Sequence, residues 1–387
     1  MIDACHACLR RAHLVAHLAP RIAGLLDRPS RRPRGLLALT DERLIAAVVG
    51  TADREARRCV EEFDSDPVRA ELDRKGCFAA CRHAEAYPPG LAELVDPPPV
   101  VFGVGQAEAL VHLAEAPAVT LVGTRRPSPY GLEMAHMIGR GLGAAGIPVV
   151  SGLALGIDAA AHAGCLAGGG EAVAVLAGGP DLPYPRQNRD IYERILDSGA
   201  VVSELPPGRP AFKWSFPARN RIMAGFAAIT VLIEAADPSG SLITAEFARD
   251  LGRAVGAVPG RVTAEVSSGT NGLIRDGAAV ITSVEDVLDE LYGVGMRRPD
   301  TGAPQAGSAG SGGRSSGKVR AGPVRQPQDP LLREVLAAVE AGQGVDGVVR
   351  SAGIDAAAAR AALGRLEAEG YIARAGLGGY ERRALTG

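Results

Sequence analysis

Residues 119–131, VTLVGTRRPSPYG, contain the pattern from which the fold can be predicted. A short β-branched run is followed by Gly123 and then by a helical stretch, which predicts a strand that turns directly into a helix. Gly123 lets the backbone approach an anion, the helix start presents unpaired N–H groups, and Arg125 adds a forked donor suited to phosphate. The spacing is not GxGxxG, so a dinucleotide fingerprint is absent. An ordinary turn with a surface arginine remains the alternative.

The same alternation of strand and helix continues from about residue 100 to residue 292. Its short apolar runs are continuous rather than alternating, which is typical of a sheet buried on both faces. The predicted strands are 119–122, 147–150, 172–176, 200–202, 229–233 and 254–258. The sequence therefore predicts an α/β fold, with an extended Rossmann-like doubly wound core over residues 86–292. In such folds ligands bind beyond the carboxyl ends of the strands.

Three other regions flank this predicted core. Residues 1–85 show helical spacing of apolar residues and predict a small helical N-terminal domain. Residues 293–328 are mostly Gly, Ser, Ala and Pro with several Arg and Lys residues, and they predict a flexible basic linker.

Residues 329–387 predict a winged helix. Helices are expected at 331–341, 345–352 and 356–369, and the hairpin signature around Gly376 and Gly378 follows them. The third helix and the hairpin would expose basic residues, namely Arg360, Arg365, Arg374, Arg382 and Arg383. Because winged helices bind either DNA or protein, both kinds of target remain open.

The composition narrows the possible functions. Of 387 residues, 42 are Lys or Arg and 44 are Asp or Glu, for a net charge of -2, so a globally basic nucleic-acid coat is excluded. Aromatic residues make up only 4%, which argues against a protein that holds single strands mainly by base stacking. A nucleic-acid site would have to be local.

The sequence also bears on cellular location. No apolar run approaches the roughly 18 to 20 residues that would span a bilayer, so no membrane association is expected. Six cysteines in so long a chain form no disulfide framework and fit a reducing compartment. A cytoplasmic location is therefore predicted.

Two cysteine clusters admit two interpretations. They consist of Cys5 and Cys8 with His6, and of Cys77 and Cys81 with His83. Cysteine and histidine at close spacing can hold zinc. However, the spacings match no standard knuckle, and both clusters lie in Ala/Leu-rich sequence that predicts helix. Free helical thiols without a metal or other cofactor are the favoured interpretation, and zinc is the alternative.

A second loop suited to anions follows the strand at 147–150. Ser151 and Gly152 offer a hydroxyl and a flexible backbone just before a helix start. In that helix, Asp158 and His162 are four residues apart and share a face. They could form an acid/base pair, but an Asp in the first helical turn usually interacts with the helix dipole, which we favour.

The stretch 212–225, FKWSFPARNRIMAG, is the most informative. It contains the only Trp and concentrates groups able to meet phosphate or base: Lys213, Arg219, Asn220 and Arg221. In a charge-balanced chain such a cluster can create a local positive potential. The alternative is that Arg219 and Arg221 pair with Glu204 or Glu234.

Further loops of the same kind follow at 239–241, 259–260 and 268–274, the last containing Asn271. Five anion-binding loops at one sheet edge exceed what a single mononucleotide needs. An extended polyphosphate such as single-stranded DNA would use them all.

Taken together, the motifs resemble the DNA-processing protein A (DprA/Smf) family, over nearly the whole chain and most strongly between residues 87 and 288. The segments that carry the resemblance are VGTRRPSPYG, SGLALGIDAAAH, AGGPDLPYPRQN, SELPPGRPAFKWSFPARNRIMAG, IEAADPSGSLITAEFARDLGRAVGAVPG and SGTNGLIRDGA. The resemblance implies a helical N-terminal domain of the SAM or helix-hairpin-helix type, the extended Rossmann core and a C-terminal winged helix. It implies no catalysis, but binding of single-stranded DNA, a homodimer formed through the core, and loading of the RecA recombinase in natural transformation.

The resemblance also implies a set of DNA-binding residues: Gly123, Arg125, Ser151, Gly152, Lys213, Arg219, Asn220, Arg221 and Asn271. Three departures from the family pattern stand out. Gly179-Pro180-Asp181 stiffens a turn that is usually freer. Thr124 occupies a position that is often Ser, and Phe226-Ala227 replaces the Leu-Ser that commonly follows the Arg-Asn-Arg segment.

Two alternatives come from other functional classes. Lysine-decarboxylase-like (LOG-like) phosphoribohydrolases share the nucleotide-binding fold and carry a PGGxGTxxE loop whose Glu does acid/base work. The nearest strings here, residues 258–261 and 268–271, have no Glu in place. A winged-helix transcription factor with a ligand-sensing core is the third interpretation.

Overall fold

A computed structural model describes residues 4–26, 35–51, 53–293 and 329–340, and 354, 358–359, 362–363, 365–366, 371–374 and 380–382. Its contacts divide the chain into two units, Met1–Thr301 and Gly302–Gly387. The first unit contains the predicted core together with the N-terminal helices.

A nine-stranded sheet forms the centre of the first unit. Its strands are β1 (Cys77–Cys81), β2 (Val100–Gly105), β3 (Val119–Val122), β4 (Val149–Ser151), β5 (Ala172–Val175), β6 (Ala200–Ser203), β7 (Ile229–Leu232), β8 (Ala254–Ala257) and β9 (Ala279–Val280). They lie in the order β1-β2-β6-β5-β4-β3-β7-β8-β9. The strands from β6 to β9 in this order are parallel, whereas β2 runs antiparallel to β6 and β1 antiparallel to β2. The chain winds outward from β3 in both directions, which confirms the mixed α/β, mostly parallel sheet.

Each of the six predicted strands coincides with an observed strand, and β3 has the predicted bounds. The prediction missed β1, β2 and β9, and it was wrong to make residues 1–85 wholly helical. The missed strand β1 is Ala- and Cys-rich, but pairing with β2 brings Ala79 opposite Phe102 and buries most of the strand. Tertiary packing therefore overrides the local helical preference of this segment.

Helices cover both faces of the sheet. They are α5 (Pro89–Ala92), α6 (Glu108–Glu115), α7 (Pro129–Ala144), α8 (Ile157–Ala167), α9 (Arg189–Ser198), α10 (Ser215–Phe226), α11 (Leu242–Asp250), α12 (Ser268–Arg275) and α13 (Val284–Tyr292). Short 3-10 helices lie at Arg186–Asn188 and Glu265–Ser267. Successive residues of one strand belong to different apolar clusters: Leu121 packs into the first and Val122 into the second. The continuous apolar runs thus correspond to a sheet buried on both faces.

Glycine permits the close approach of α7 to α8. A Cβ on Gly139 would lie 2.4 Å from the carbonyl oxygen of Ala161, and one on Gly164 would lie 2.2 Å from that of His136. These glycines therefore serve helix packing rather than turns.

The N-terminal helices pack against the core through its only Trp. These helices are α1 (His6–Leu25), α2 (Asp41–Val49), α3 (Arg54–Glu61) and α4 (Asp66–Arg74). Leu14, Leu18 and Leu44 share an apolar cluster with Trp214, which is 4% exposed. The indole Nε1 donates to the Ala19 carbonyl oxygen at 3.0 Å. The ring therefore anchors α1 to the core and does not face solvent.

The second unit contains α14 (Pro330–Glu340) and a hairpin of β10 (Ile372–Arg374) and β11 (Tyr380–Arg382), which pair antiparallel. Leu336, Leu366 and Ile372 belong to its apolar cluster. Arg365 pairs with Asp329 at 3.2 Å. The predicted helix 345–352, the linker beyond Gly293, Arg360 and Arg383 lie outside the described residues, as do the side chains of Arg374 and Arg382. The winged helix therefore stays a prediction. No helix in the described ranges is long and apolar enough to cross a membrane.

We expect Trp214→Ala to lower the free energy of unfolding by about 3–5 kcal/mol, because it removes a large buried ring and leaves a cavity. Val262→Ala is the control, since Val262 is 93% exposed and its truncation should change stability by less than about 0.5 kcal/mol. Urea unfolding followed by far-ultraviolet circular dichroism measures both, because the only Trp is lost in the first variant. Equal stability of the two variants would contradict the anchoring role.

Candidate functional site

A cleft of about 530 Å³ lies beyond the carboxyl ends of β3 and β7. These neighbouring strands are where the winding direction of the sheet reverses, and open α/β sheets bind ligands at this switch point. The lining consists of Val122, Gly123, Thr124, Arg125, Arg126, Ala154, Asp158, Phe216, Pro217, Arg219, Asn220, Met223, Ser239, Gly240, Ser241, Ile243 and Thr244.

The loop after β3 forms the first wall of the cleft. Gly123 is required there, because a Cβ would lie 2.6 Å from Cγ1 of Ile157 and 2.8 Å from the carbonyl oxygen of Glu234. Arg125 is exposed, and its guanidinium lies 5.5 Å from the centroid of the Phe216 ring. Within the described ranges Arg125 forms no salt bridge, so its charge remains available to a ligand.

Helix α10 forms the second wall and contributes Arg219. This guanidinium is buried: its Nη1 donates to the Val175 carbonyl oxygen at 2.5 Å and its Nε to Oδ1 of Asn220 at 3.2 Å. Burial lowers the pKa of Arg219, while the nearby Asp158 carboxylate, 3.9 Å from Nη2, opposes that shift. Gly152 leaves room for the group, since a Cβ there would overlap Nη1 at 1.7 Å.

The Asp158 carboxylate organises the loop after β4. It accepts hydrogen bonds from the amides of Gly152 at 3.2 Å and Ala154 at 3.3 Å. Burial raises the pKa of Asp158, and Arg219 opposes that effect. For the buried His162, burial and Arg219 together lower the pKa to about 3, so its ring is neutral at pH 7. Asp158 therefore orders the start of α8, in keeping with the structural role favoured from the sequence.

The start of α11 forms the third wall. Ser239 and Ser241 precede it with their hydroxyl oxygens 2.9 Å apart, and no side chain caps the helix. Asn220 Nδ2 donates to the carbonyl oxygen of Gly240 at 3.1 Å and so holds this loop beside Arg219. The buried Thr244 hydroxyl has no hydrogen-bond partner in the part of the chain that the structure describes. The Leu242 and Thr244 amides donate to the carbonyl oxygens of Ser239 and Ser241, so the hydroxyls are the groups that this helix start offers to an anion.

Arg221 lies outside the cleft. It is 1% exposed, and it donates from Nε to Oδ1 of Asp96 at 3.0 Å and from Nη2 to Oε1 of Glu204 at 2.7 Å. Burial would lower the pKa of Arg221, but the two carboxylates outweigh it and raise the pKa. The pairing with Glu204 is the alternative that the sequence left open. Glu234 does not pair with either arginine. Its carboxylate accepts hydrogen bonds from the amide and hydroxyl of Ser128 at 2.8 and 2.5 Å.

Three other candidates also lie outside the cleft lining. The buried Ser151 hydroxyl donates to the Leu121 carbonyl oxygen at 2.6 Å and links β4 to β3. Asn271 exchanges two hydrogen bonds of 3.1 Å with the backbone of Gly260. Lys213 is exposed just before α10. The cleft thus brings together Gly123, Arg125, Arg219 and Asn220, with Gly152 packed against Arg219.

Several lining residues were absent from the set predicted from the sequence, among them Arg126, Phe216, Ser239 and Ser241. Arg126 directly follows Arg125, and the two serines stand in a loop already recognised as suited to anions. Phe216 gave no comparable signal, because its position at the rim depends on how α10 packs.

Fold and cleft together define a Rossmann-like α/β protein with a cleft lined by arginines and hydroxyl groups at the switch point of its sheet. The family model described as DNA recombination-mediator protein A matches residues 79–292, and the chain belongs to this family. Members are DNA-binding recombination mediators and not enzymes, so the phosphoribohydrolase alternative does not hold.

Individual relatives agree with this assignment. Protein Smf of Synechocystis sp. is 34% identical over 312 residues, which cover 77% of this chain and 78% of that protein. DNA processing protein DprA of Streptococcus pneumoniae is 40% identical over 207 residues, covering 54% of this chain and 72% of that protein. The X-ray structure of DprA from Streptococcus pneumoniae matches with a TM-score of 0.57 and 31% identity, covering 73% of this chain and 96% of that chain.

We expect Arg221→Met to lower the free energy of unfolding by about 3–5 kcal/mol, because it leaves Asp96 and Glu204 without their buried partner. Arg126→Met is the matched control, since Arg126 is exposed and should change stability by less than about 0.5 kcal/mol. Urea unfolding of the full chain measures both. A stable Arg221→Met protein with weakened DNA binding would instead favour a direct contact with DNA.

Proposed function

We propose that the chain binds single-stranded DNA across the cleft at β3 and β7. The observation that carries this proposal is the guanidinium of Arg125, which stands exposed at the rim without an ion-pair partner among the described residues. It lies beside a buried second guanidinium, Arg219, and an uncapped helix start.

The phosphate contacts follow from this arrangement. Arg125 and Arg126 would neutralise phosphates at the rim with forked donors. Inside the cleft, Arg219 is shared with Asp158, and the Ser239 and Ser241 hydroxyls at the start of α11 would receive the next phosphate. Because these groups contact the backbone, binding would be largely independent of sequence and sensitive to salt.

Two aromatic rings support a preference for single strands. Phe216 lines the cleft, and its ring centroid lies 5.6 Å from that of Tyr184, which is 55% exposed. An exposed ring can stack on an unpaired base but not on bases already stacked in a duplex. The low aromatic content of the chain therefore still leaves a small stacking surface next to the arginines.

Two further parts of the proposal are supported by the family resemblance alone. These are a homodimer formed through the Rossmann core and loading of the RecA recombinase on the bound strand, which together would protect incoming DNA during transformation. Size determination of the full chain and a strand-exchange assay with RecA test them separately from DNA binding.

For the phosphate contacts, we expect Arg125→Ala to weaken binding of a labelled single-stranded oligonucleotide about tenfold, as the loss of one charge-assisted contact implies. The slope of log K against log salt should fall by about 0.7 in magnitude. Fluorescence polarization across a salt series measures both quantities. Arg140→Ala, which removes the same charge from the other end of α7, is the control. If the two variants bind equally well, Arg125 does not contact DNA.

For the stacking surface, we expect Tyr184→Ala to weaken single-strand binding by about 1–3 kcal/mol per stacked base. Tyr184→Phe should bind almost as the parent protein does, because it keeps the ring. Duplex binding, measured in the same polarization assay, should change little in either variant. An unchanged ratio of single-strand to duplex affinity in Tyr184→Ala would remove the ring from the proposal.

A further inference from the structure

Four side chains of types that can bind metal lie together outside the cleft lining. Cys5, Cys8, Cys81 and His83 each contribute one ligand atom, and these atoms all lie within 4.8 Å of one another. His83 Nδ1 lies 3.5 Å from Sγ of Cys5, 3.5 Å from Sγ of Cys8 and 3.9 Å from Sγ of Cys81. Three sulfurs and one imidazole nitrogen therefore form a single compact group.

The distances between the histidine nitrogen and the three sulfurs suit a tetrahedral zinc site. With Zn–S of about 2.3 Å and Zn–N of about 2.05 Å, tetrahedral angles place sulfur and nitrogen about 3.5 Å apart and two sulfurs about 3.8 Å apart. The distances from His83 Nδ1 to the three sulfurs are 3.5, 3.5 and 3.9 Å, at or near the expected sulfur–nitrogen distance. Three cysteines and one histidine are also a recurrent ligand set of structural zinc sites.

The fold brings these residues together across 76 positions of sequence. Cys5 is the N-cap of α1, and Cys8 lies one turn further on. Cys81 ends β1, and His83 follows in a turn closed by a hydrogen bond from the Ala84 amide to the Cys81 carbonyl oxygen at 2.8 Å. A Cys-x-x-Cys pair thus faces a Cys-x-His pair.

A backbone amide also contacts one of the three sulfurs. The Cys5 amide donates to Sγ of Cys81 at 3.5 Å.

We propose that Cys5, Cys8, Cys81 and His83 bind one Zn²⁺ ion and that this site fastens α1 to the edge strand β1. Because all four ligands come from the protein, the site would be structural rather than catalytic. Of the six residues that the sequence offered for a zinc site, two lie outside this group: Cys77 contacts the Lys75 carbonyl oxygen at 3.8 Å, and His6 contacts Ser65 at 3.2 Å. The sequence interpretation also placed Cys77–Cys81 in a helix, whereas this segment is a strand.

The test is the metal content of the full, untagged chain purified from zinc-supplemented cells. We expect about one zinc per chain by plasma mass spectrometry. Replacing zinc with Co²⁺ should give the thiolate charge-transfer bands and the intense visible bands of tetrahedral cobalt. Cys81→Ser should lose both signals, whereas Cys59→Ser and Cys77→Ser, which alter thiols outside the cluster, should keep them.

His83→Ala is a second test variant in case Cys81→Ser does not fold. Because His83 is the exposed member of the set, its replacement should leave the fold intact. It should release zinc to a chelator faster than the parent chain does, and chelation should lower the Tm of the parent chain. Zinc content well below one per chain in the parent protein, or equal content in Cys81→Ser and Cys59→Ser, would overturn the proposal. A disulfide between two of the three cysteines, detected by mass spectrometry under non-reducing conditions, would also overturn it.

Discussion

The parallel pairing of β3 with β7 determines the position of the cleft and of the arginine-bearing loop beside it. The ladder runs from Val119 opposite Ile229 to Val122 opposite Leu232, and it continues beyond the strands. The Thr124 amide donates to the Glu234 carbonyl oxygen at 2.7 Å, and the Glu234 carboxylate in turn holds Ser128, the N-cap of α7. One register therefore positions the Arg125 loop and the start of α7. Because the connections diverge at this strand pair, a cleft opens between them instead of a covered edge.

Two arginines of α10 show how burial assigns different roles to the same side chain. The buried Arg221 forms ion pairs with two carboxylates, so its charge stabilises the fold and is not available to a ligand. Arg219 has one carboxylate at 3.9 Å and otherwise donates to neutral oxygens, so part of its field reaches the cleft. A chain with a net charge of -2 can thus gather positive charge at one cleft, because the lining holds Arg125, Arg126 and Arg219 against a single carboxylate, that of Asp158.

The sequence predicted the parallel strands well, because continuous apolar runs between Gly-rich turns have few other interpretations. It could not separate Arg219 from Arg221: at about 100° per residue the two point to nearly opposite sides of α10, and which side faces the cleft depends on helix packing. It failed at β1 for a related reason, since Ala79 and its neighbours form a strand only because β2 lies beside them. The Cys and His cluster depends on the same pairing and could not be assembled from local spacing.

Helix α10 links the parts of the first unit that are distant in sequence. At its start Trp214 bonds to Ala19 of α1, and in its middle Arg221 bonds to Asp96 in the connector before β2. On its cleft side Asn220 holds the Gly240 loop, and near its end the Met223 carbonyl oxygen accepts from the Thr120 hydroxyl of β3 at 2.8 Å. A shift of this helix would move Arg219 and the α11 loop together. The N-terminal helices therefore do more than cover the core, because fixing α1 also fixes the helix on which the cleft depends.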